Sequence, residues 1–400
     1  MPVEGGYLED GKGLSNWDVF SHIPEGCRDR SVAWGSVDAG TGGRFGEVNP
    51  GGIKFYNKVI NNLLLRGIEP FVTVHHFDYP QELGDRYGAW LSPLMQEDFV
   101  LLAETCFKSF GDRVKYWATI NEPNIYLQKW LVHNMLLAHA KAVKIYREQF
   151  QSKQGGSIGI IAQTHMYEPL RNVESDHQAV NRVLAFTGCC IDFIGLNHYS
   201  TLYAKDCIHS PCILGGDHFI RGFAYTTGER DGILIGEPTG VERFYVVPRG
   251  MEKIVDYISR RYNSMPIYVT ENGYSAPLTK AVPDLLHDVN RIKFHKAYLA
   301  ALARAIRKGA NVRGYFLWTL MDNFEWAGGY SSRFGLYYVD RLTMKRTPKL
   351  SAKWFQYFLA NRSSARINRL RLINGRQKSQ HFGKNKRIII ARTEANATDM

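Results

Sequence analysis

From residue 53 onward the apolar positions follow two alternating periods. Ile53, Val59, Ile60, Leu63 and Leu64 fall at helical spacing and the run stops at Gly67, which predicts a helix over 53–67 closed by a glycine. The run Phe71-Val72-Thr73-Val74 follows as a strand, then a helical pattern from Gln96 to Phe110. Tyr116-Trp117-Ala118-Thr119-Ile120 predicts a second strand, followed by a helix ending near Phe150. Further strands are expected at 157–162, 191–196, 266–270 and 312–317, with a long helix near 287–308. Strand, helix, strand without hairpin turns argues for a parallel sheet covered by helices, an α/β fold. No short repeat, low-complexity stretch or linker interrupts residues 53–360, so they read as one domain.

The chemistry-bearing residues recur at one end of these strands. In parallel α/β barrels functional groups sit at the C-terminal strand ends and the loops after them. Here the strands run into His75-His76-Phe77-Asp78, Asn121-Glu122-Pro123, Asn197-His198-Tyr199 and Glu271-Asn272-Gly273, and into Trp318 followed by Asp322-Asn323-Phe324-Glu325-Trp326. A single strand-end glutamate is more often a surface residue. Two of them, Glu122 and Glu271, in matched contexts beside tryptophan-rich loops, fit acetal cleavage, in which one carboxyl protonates the departing oxygen and the other attacks or activates water. Tryptophan and tyrosine suit a sugar, which presents an apolar C–H face and an edge of hydroxyls. Adjacent side chains on a strand face opposite ways, so only one of His75 and His76 can point into the mouth. Trp90, Trp117 and Trp354 read as core or helix-surface aromatics.

Composition narrows the alternatives. The 400 residues are 44% hydrophobic and 22% charged, an ordinary globular balance that excludes wholesale disorder. No apolar run approaches the roughly 18 residues that would span a bilayer, and Met1-Pro2-Val3-Glu4-Gly5 is too polar for a signal peptide, so no membrane association is expected and the compartment is undecided. The net charge of +12 is concentrated: residues 361–400 hold ten Lys and Arg against Glu394 and Asp399. Phe382 is the sole aromatic in that stretch, so a solvated basic tail is favoured over a nucleic-acid binding segment. Six cysteines are too few for a disulfide scaffold; Cys189 and Cys190 read as buried small hydrophobes, and Cys207 and Cys212, bracketing a turn, are open to a local disulfide. No metal site is readable.

Thr119-Ile120-Asn121-Glu122-Pro123 and Tyr268-Val269-Thr270-Glu271-Asn272-Gly273 resemble the acid/base and nucleophile motifs of glycoside hydrolase family 1, the β-glucosidase family. The resemblance extends to Val3-Glu4-Gly5-Gly6, to Gly67-Ile68-Glu69-Pro70-Phe71-Val72-Thr73, and to Phe193-Ile194-Gly195-Leu196-Asn197-His198-Tyr199. Trp318 to Asp340 and Pro348 to Phe355 are similar almost throughout, and the plant branch is the nearest. The resemblance implies a (β/α)8 TIM barrel over residues 1–360, a small-molecule β-glycoside substrate, and no cofactor. It implies Glu122 as general acid/base and Glu271 as nucleophile, with carboxyl groups about 5–5.5 Å apart as in retaining enzymes. It further implies Asn121, His76, Glu325 and Trp326 on sugar hydroxyls, Trp318 as the sugar platform, Tyr199 on Glu271, and Phe334 lining the pocket. A cis peptide between Trp318 and Thr319 is expected from it too. Phe77 and His198 stand where the family has Trp and Tyr.

Whole pieces of the family pattern are absent. Pro2 stands where the family has a sugar-binding Gln, so the first strand is expected to be missing. Between Asp29 and Gly42 the family would have a helix and a second strand ending in a sugar-site Arg; here only Arg30 to Thr41 intervene. Shorter losses follow Asn124 and Phe186. A barrel closes only when strand number, tilt and shear agree. The expectation is therefore an incomplete or distorted barrel whose first and second strands are missing or replaced. The competing expectation for function is a truncated, weakly active or inactive relative that at most binds sugars.

Overall fold

Six strands carry the alternating pattern into three dimensions. The computed structural model describes residues 14–22, 44, 46–126, 129–184, 191–212, 220–277 and 281–360. Strands β1 (Phe71–His75), β2 (Tyr116–Asn121), β3 (Ser157–Gln163), β4 (Phe193–Asn197), β5 (Ile267–Glu271) and β6 (Val312–Tyr315) pair in chain order, each parallel to the next. Before and between them run helices α1 (Pro50–Leu65), α2 (Leu94–Phe110), α3 (Lys129–Ile145), α4 (Glu174–Leu184), α5 (Pro248–Arg261) and α6 (Val289–Arg307).

The helix boundaries follow from local chemistry. Asn49 caps α1 by accepting from the backbone N–H groups of Gly51 and Gly52 at 2.8 and 3.3 Å, and Pro50 supplies the favoured first position. Gly67, with φ +70°, turns the chain out of α1 toward β1, as the sequence predicts. The helix expected to end near Phe150 instead passes from α3 into a π-helical turn over Tyr146–Phe150.

The helices pack their apolar faces on the sheet in two groups. One core gathers Phe99, Phe107, Trp90 and Trp117 with α2 and α3; the other gathers Met251, Ile254, Phe294 and Tyr298 with α5 and α6. Inside the sheet, Phe71 lies 5.2–5.7 Å from the rings of Tyr116, Phe193, Tyr268 and Phe316. This aromatic floor fills the N-terminal end of the strands and leaves the C-terminal end for the site.

One expectation fails between residues 166 and 246. A second, four-stranded sheet built from Met166–Pro169, Thr201–Asp206, Ile220–Arg221 and Ala224–Thr227 contains antiparallel pairs, and Glu229–Arg230 pairs with Ile233–Leu234. The two tight turns are Gly222-Phe223 and Asp231-Gly232, all four residues at positive φ. That geometry matches the twist of hairpin strands. Asp231-Gly232 is a readable hairpin signal; Gly222-Phe223 is not, because phenylalanine rarely enters that region.

The sheet is not closed. Among the described residues no strand pairs with the outer edge of β1 or of β6. A cavity of about 580 Å³ runs along this gap, lined by Val72, Val74, Ile60, Phe99 and Phe316 and reaching Glu271. The incomplete barrel expected from the sequence is what the described strands form. Residues 1–13, 29–42, Cys189, Cys190 and the basic tail 361–400 lie outside the described residues. The pairing left open for Cys207 and Cys212 is a disulfide, with Cα atoms 5.5 Å apart.

Candidate active site

The C-terminal strand ends bring the singled-out residues to one mouth. Glu122 follows β2 directly, and its backbone N–H bonds the Ile161 carbonyl of β3 at 2.9 Å. Its φ of +46° is a left-handed conformation costly for a non-glycine residue. Phe77 and Trp326, at the same mouth, also have positive φ. Strained backbone of this kind persists where surrounding structure over-determines it, often at functional sites. Glu271 is the last residue of β5. Both residues are 8% exposed.

Asn197, at the end of β4, connects them. Its Nδ2 donates to Glu122 Oε1 at 2.6 Å and to Asn121 Oδ1 at 3.1 Å, while its Oδ1 accepts from the Thr270 hydroxyl at 2.7 Å. The same side chain helps to stabilise the Glu271 carboxylate. Sequence reading singled out the motif around Asn197 without giving this residue a role. Its place as the last residue of a buried strand is the only local signal it offers.

The two carboxyls titrate differently. Burial holds Glu122 well above the usual carboxylate range, and the charge of Glu271 raises it further. Burial also lifts Glu271, but only to about 7, because the Tyr199 hydroxyl and Asn197 favour its ionised form. Tyr199 donates to Glu271 Oε2 at 2.5 Å. It is buried, stacks on Phe244 at 5.1 Å, and meets the edge of Phe334 at 5.9 Å.

The remaining residues form one wall. Of the histidine pair, His76 faces the mouth, with Nε2 3.8 Å from Glu271 Oε1 and its ring 5.7 Å from Trp318 and 5.4 Å from Trp326. Burial holds its imidazole well below the usual pKa, so it sits neutral. His75 turns the other way, onto Trp90 and Phe99. Trp318 Nε1 donates to both Glu325 oxygens at 3.2 and 3.3 Å, and burial raises Glu325 to about 8. Trp326 packs on Phe77 at 4.9 Å and on Trp17 at 4.7 Å. Trp17 Nε1 in turn bonds the Phe77 carbonyl, so the Asn16–His22 helix seals this side. Among the described residues the buried Asn121 Nδ2 has no hydrogen-bond partner, which leaves a donor for a ligand hydroxyl. The Trp318–Thr319 peptide is cis. Gly273 is required behind the wall, because a Cβ there would strike the Trp318 carbonyl. Trp90 and Trp117 are fully buried core residues, and His198 is buried with Nδ1 on the Thr164 carbonyl.

The arrangement offers a protonated carboxyl, an ionisable carboxyl beside it, and a rim of aromatic rings and hydrogen-bonding groups. Tyr199→Phe is expected to remove one charge-assisted hydrogen bond from Glu271. Such bonds contribute about 1.5–3 kcal/mol, so activity should drop roughly ten- to hundredfold. The Glu271 pKa should rise, moving the acid limb of the pH profile upward, which a kcat/KM profile of the two proteins will read.

A family profile described as Glycosyl hydrolase family 1 matches residues 27–132, 126–191 and 188–364. "Probable inactive beta-glucosidase 14" of Oryza sativa subsp. japonica is 41% identical, over 89% of this chain and 88% of that protein. That alignment has 455 positions, whereas 89% of 400 residues is about 356, so roughly a hundred of its positions face gaps here. The coniferin beta-glucosidase of Pinus contorta is 39% identical over 89% of this chain and 88% of its own. A rice Os3BGlu6 beta-glucosidase mutant, solved in a covalent complex with glucose, superposes with a TM-score of 0.77 at 32% identity, covering 88% of this chain and 95% of that one.

Proposed function

The chain belongs to glycosyl hydrolase family 1 and is of the β-glucosidase type, and from that premise we propose that Glu122 is its general acid/base and Glu271 its nucleophile. The observation that carries this assignment is the hydrogen bonding: the Tyr199 hydroxyl donates to Glu271 Oε2 at 2.5 Å and favours its ionised form, whereas Glu122 accepts an amide N–H from Asn197. Burial and the neighbouring charge keep the proton on Glu122, while Glu271 ionises near neutral pH. One group is then acid and the other nucleophile at the same pH.

In the first step a Glu271 carboxylate oxygen attacks the anomeric carbon of a β-glucoside. The bond from that carbon to the aglycone oxygen breaks as Glu122 passes its proton to the departing oxygen. Glu122, now ionised, takes a proton from water as that water attacks the anomeric carbon and releases Glu271. Two inversions retain the configuration. Asn197 Nδ2 donates to the Glu122 carboxyl at 2.6 Å, and Tyr199 steadies the charge on Glu271. Trp318 supplies the apolar platform for the sugar ring, with Asn121, His76, Glu325 and Trp326 on its hydroxyls and Phe334 closing the pocket.

The test is covalent trapping. A 2-deoxy-2-fluoro-β-glucoside with a dinitrophenolate leaving group forms a glycosyl-enzyme that hydrolyses slowly. The label is expected on the peptide containing Glu271; a label on another carboxylate would overturn the assignment. The second reading, a weakly active or inactive relative that at most binds sugars, draws its support from the open gap between β1 and β6, which runs down from the site itself.

A further inference from the structure

Behind the sugar-side wall lies a buried ionic cluster that no step of the reaction uses. Lys349 is fully buried, and its Nζ bonds Asp322 Oδ1 at 2.8 Å. Asp322 sits four residues after Trp318 in the same loop. Its Oδ1 also accepts from the Gly335 backbone N–H at 2.9 Å, and Arg333 Nη1 lies 3.5 Å from its Oδ2. A Cβ at Gly335 would collide with the Met321–Asp322 backbone, so the two arms of the loop touch at this point. The Lys349 backbone N–H bonds the Leu336 carbonyl at 2.9 Å, at the start of the helical residues 350–360.

A second pair backs the first. Arg291, also fully buried, donates from Nη1 to the carbonyls of Phe334 and Tyr274 and from Nη2 to that of Arg333. Its Nε lies 2.7 Å from Asp288 Oδ2, and Asp288 accepts from the Ser351 backbone and hydroxyl at 2.8 and 2.6 Å. Lys349 thus faces Asp322 and Arg333 from the loop and Asp288 and Arg291 from the start of α6.

We infer that Lys349 is a positioning residue: its ammonium latches the loop of residues 318–335 to the C-terminal helix, and the loop holds its arrangement only while that nitrogen is protonated. The loop carries Trp318, Glu325, Trp326 and Phe334, so the consequence for sugar binding rests on the functional reading above, whereas the latch itself does not. Burial, aided by repulsion from Arg291, lowers the Lys349 ammonium to about 8 despite the opposing pull of Asp322 and Asp288. Above that pH the lysine becomes neutral, Asp322 loses its closest cation, and a buried carboxylate is left under-compensated.

Amide hydrogen exchange on the full chain decides the matter without any substrate. After correction for intrinsic base catalysis, protection of peptides within 318–336 is expected to fall about tenfold between pH 7 and pH 9, the change in the protonated fraction of a group with that pKa, while 116–121 in β2 stays protected. In Lys349→Met the loop should be weakly protected at both pH values. Should that single variant lose protection in β2 as well, the doubly neutral Asp322→Asn/Lys349→Met protein carries the decision. It keeps Glu325, a group within the loop that also titrates near pH 8, and should show no tenfold change. A flat wild-type profile, or a tenfold change that survives in the double variant, would overturn the latch. Neither result bears on the covalent labelling of Glu271.

Discussion

Glu271→Ala should hydrolyse an aryl β-glucoside no faster than the background reaction, and azide should restore product of the opposite anomeric configuration. Without the carboxylate no glycosyl-enzyme forms. The vacated space beside Tyr199 lets azide attack the anomeric carbon once, with Glu122 still available to protonate the leaving group, and a single inversion yields an α-glucosyl azide. Glu122→Ala should behave differently. Loss of a general acid/base costs roughly 10²–10⁴-fold, least in the first step for a substrate whose leaving group departs without a proton. The second step then stalls for want of a base. Azide, which needs none, should speed turnover and give the β-glucosyl azide. The anomeric configuration of the two azides, read by proton NMR, assigns the roles independently of rate. An α-azide from the Glu122 variant, or a β-azide from the Glu271 variant, would reverse or dissolve the assignment.

Much of this site is legible in the chain because strand ends are short-range features. His76, Asn121, Glu122, Tyr199 and Glu271 lie within a few positions of a β-branched or aromatic run, so locating the run locates the residue, whereas Glu325, Trp326 and Phe334 come from the long loop after β6. Alternation of side chains allows only one of His75 and His76 into the mouth, the family resemblance picks His76, and the structure turns His75 onto Trp90. Asn197 was less legible. Its importance comes from contacts with Glu122 and Asn121, 75 and 76 residues away, and with Thr270 on the other side. Such convergence on one amide leaves no local pattern. The latch on Asp322 was hidden for the same reason, since a lysine beside a proline in a polar stretch reads as solvated. The hairpins between 201 and 246 were missed because their strands are two to six residues long, and one turn places Phe223 in a conformation its side chain disfavours.

Restoring the helix–strand segment that the family resemblance implies between residues 29 and 42 should raise kcat/KM for an aryl β-glucoside by two orders of magnitude or more. The argument starts from the gap. Among the described residues no strand pairs with the outer edges of β1 and β6, and the cavity between them reaches Glu271. Open edges leave backbone groups unsatisfied and let strands shift, and closure of the sheet removes both liabilities. A displacement of 1 Å between reacting groups costs on the order of a hundredfold in rate, so fixing the positions of β1 and β6 acts directly on His76 and Trp318. The resemblance implies that this segment ends in an arginine at the sugar site. A cation near Glu271 would lower its pKa from about 7. Glu271 is reactive only when ionised, so activity rises with pH through that value, and the acid limb of the profile should move to lower pH in the restored chain. Glu271→Ala in the restored chain provides the background. Equal kcat/KM in the two proteins, with the same acid limb, would mean that the six described strands already hold both carboxyls where the reaction needs them.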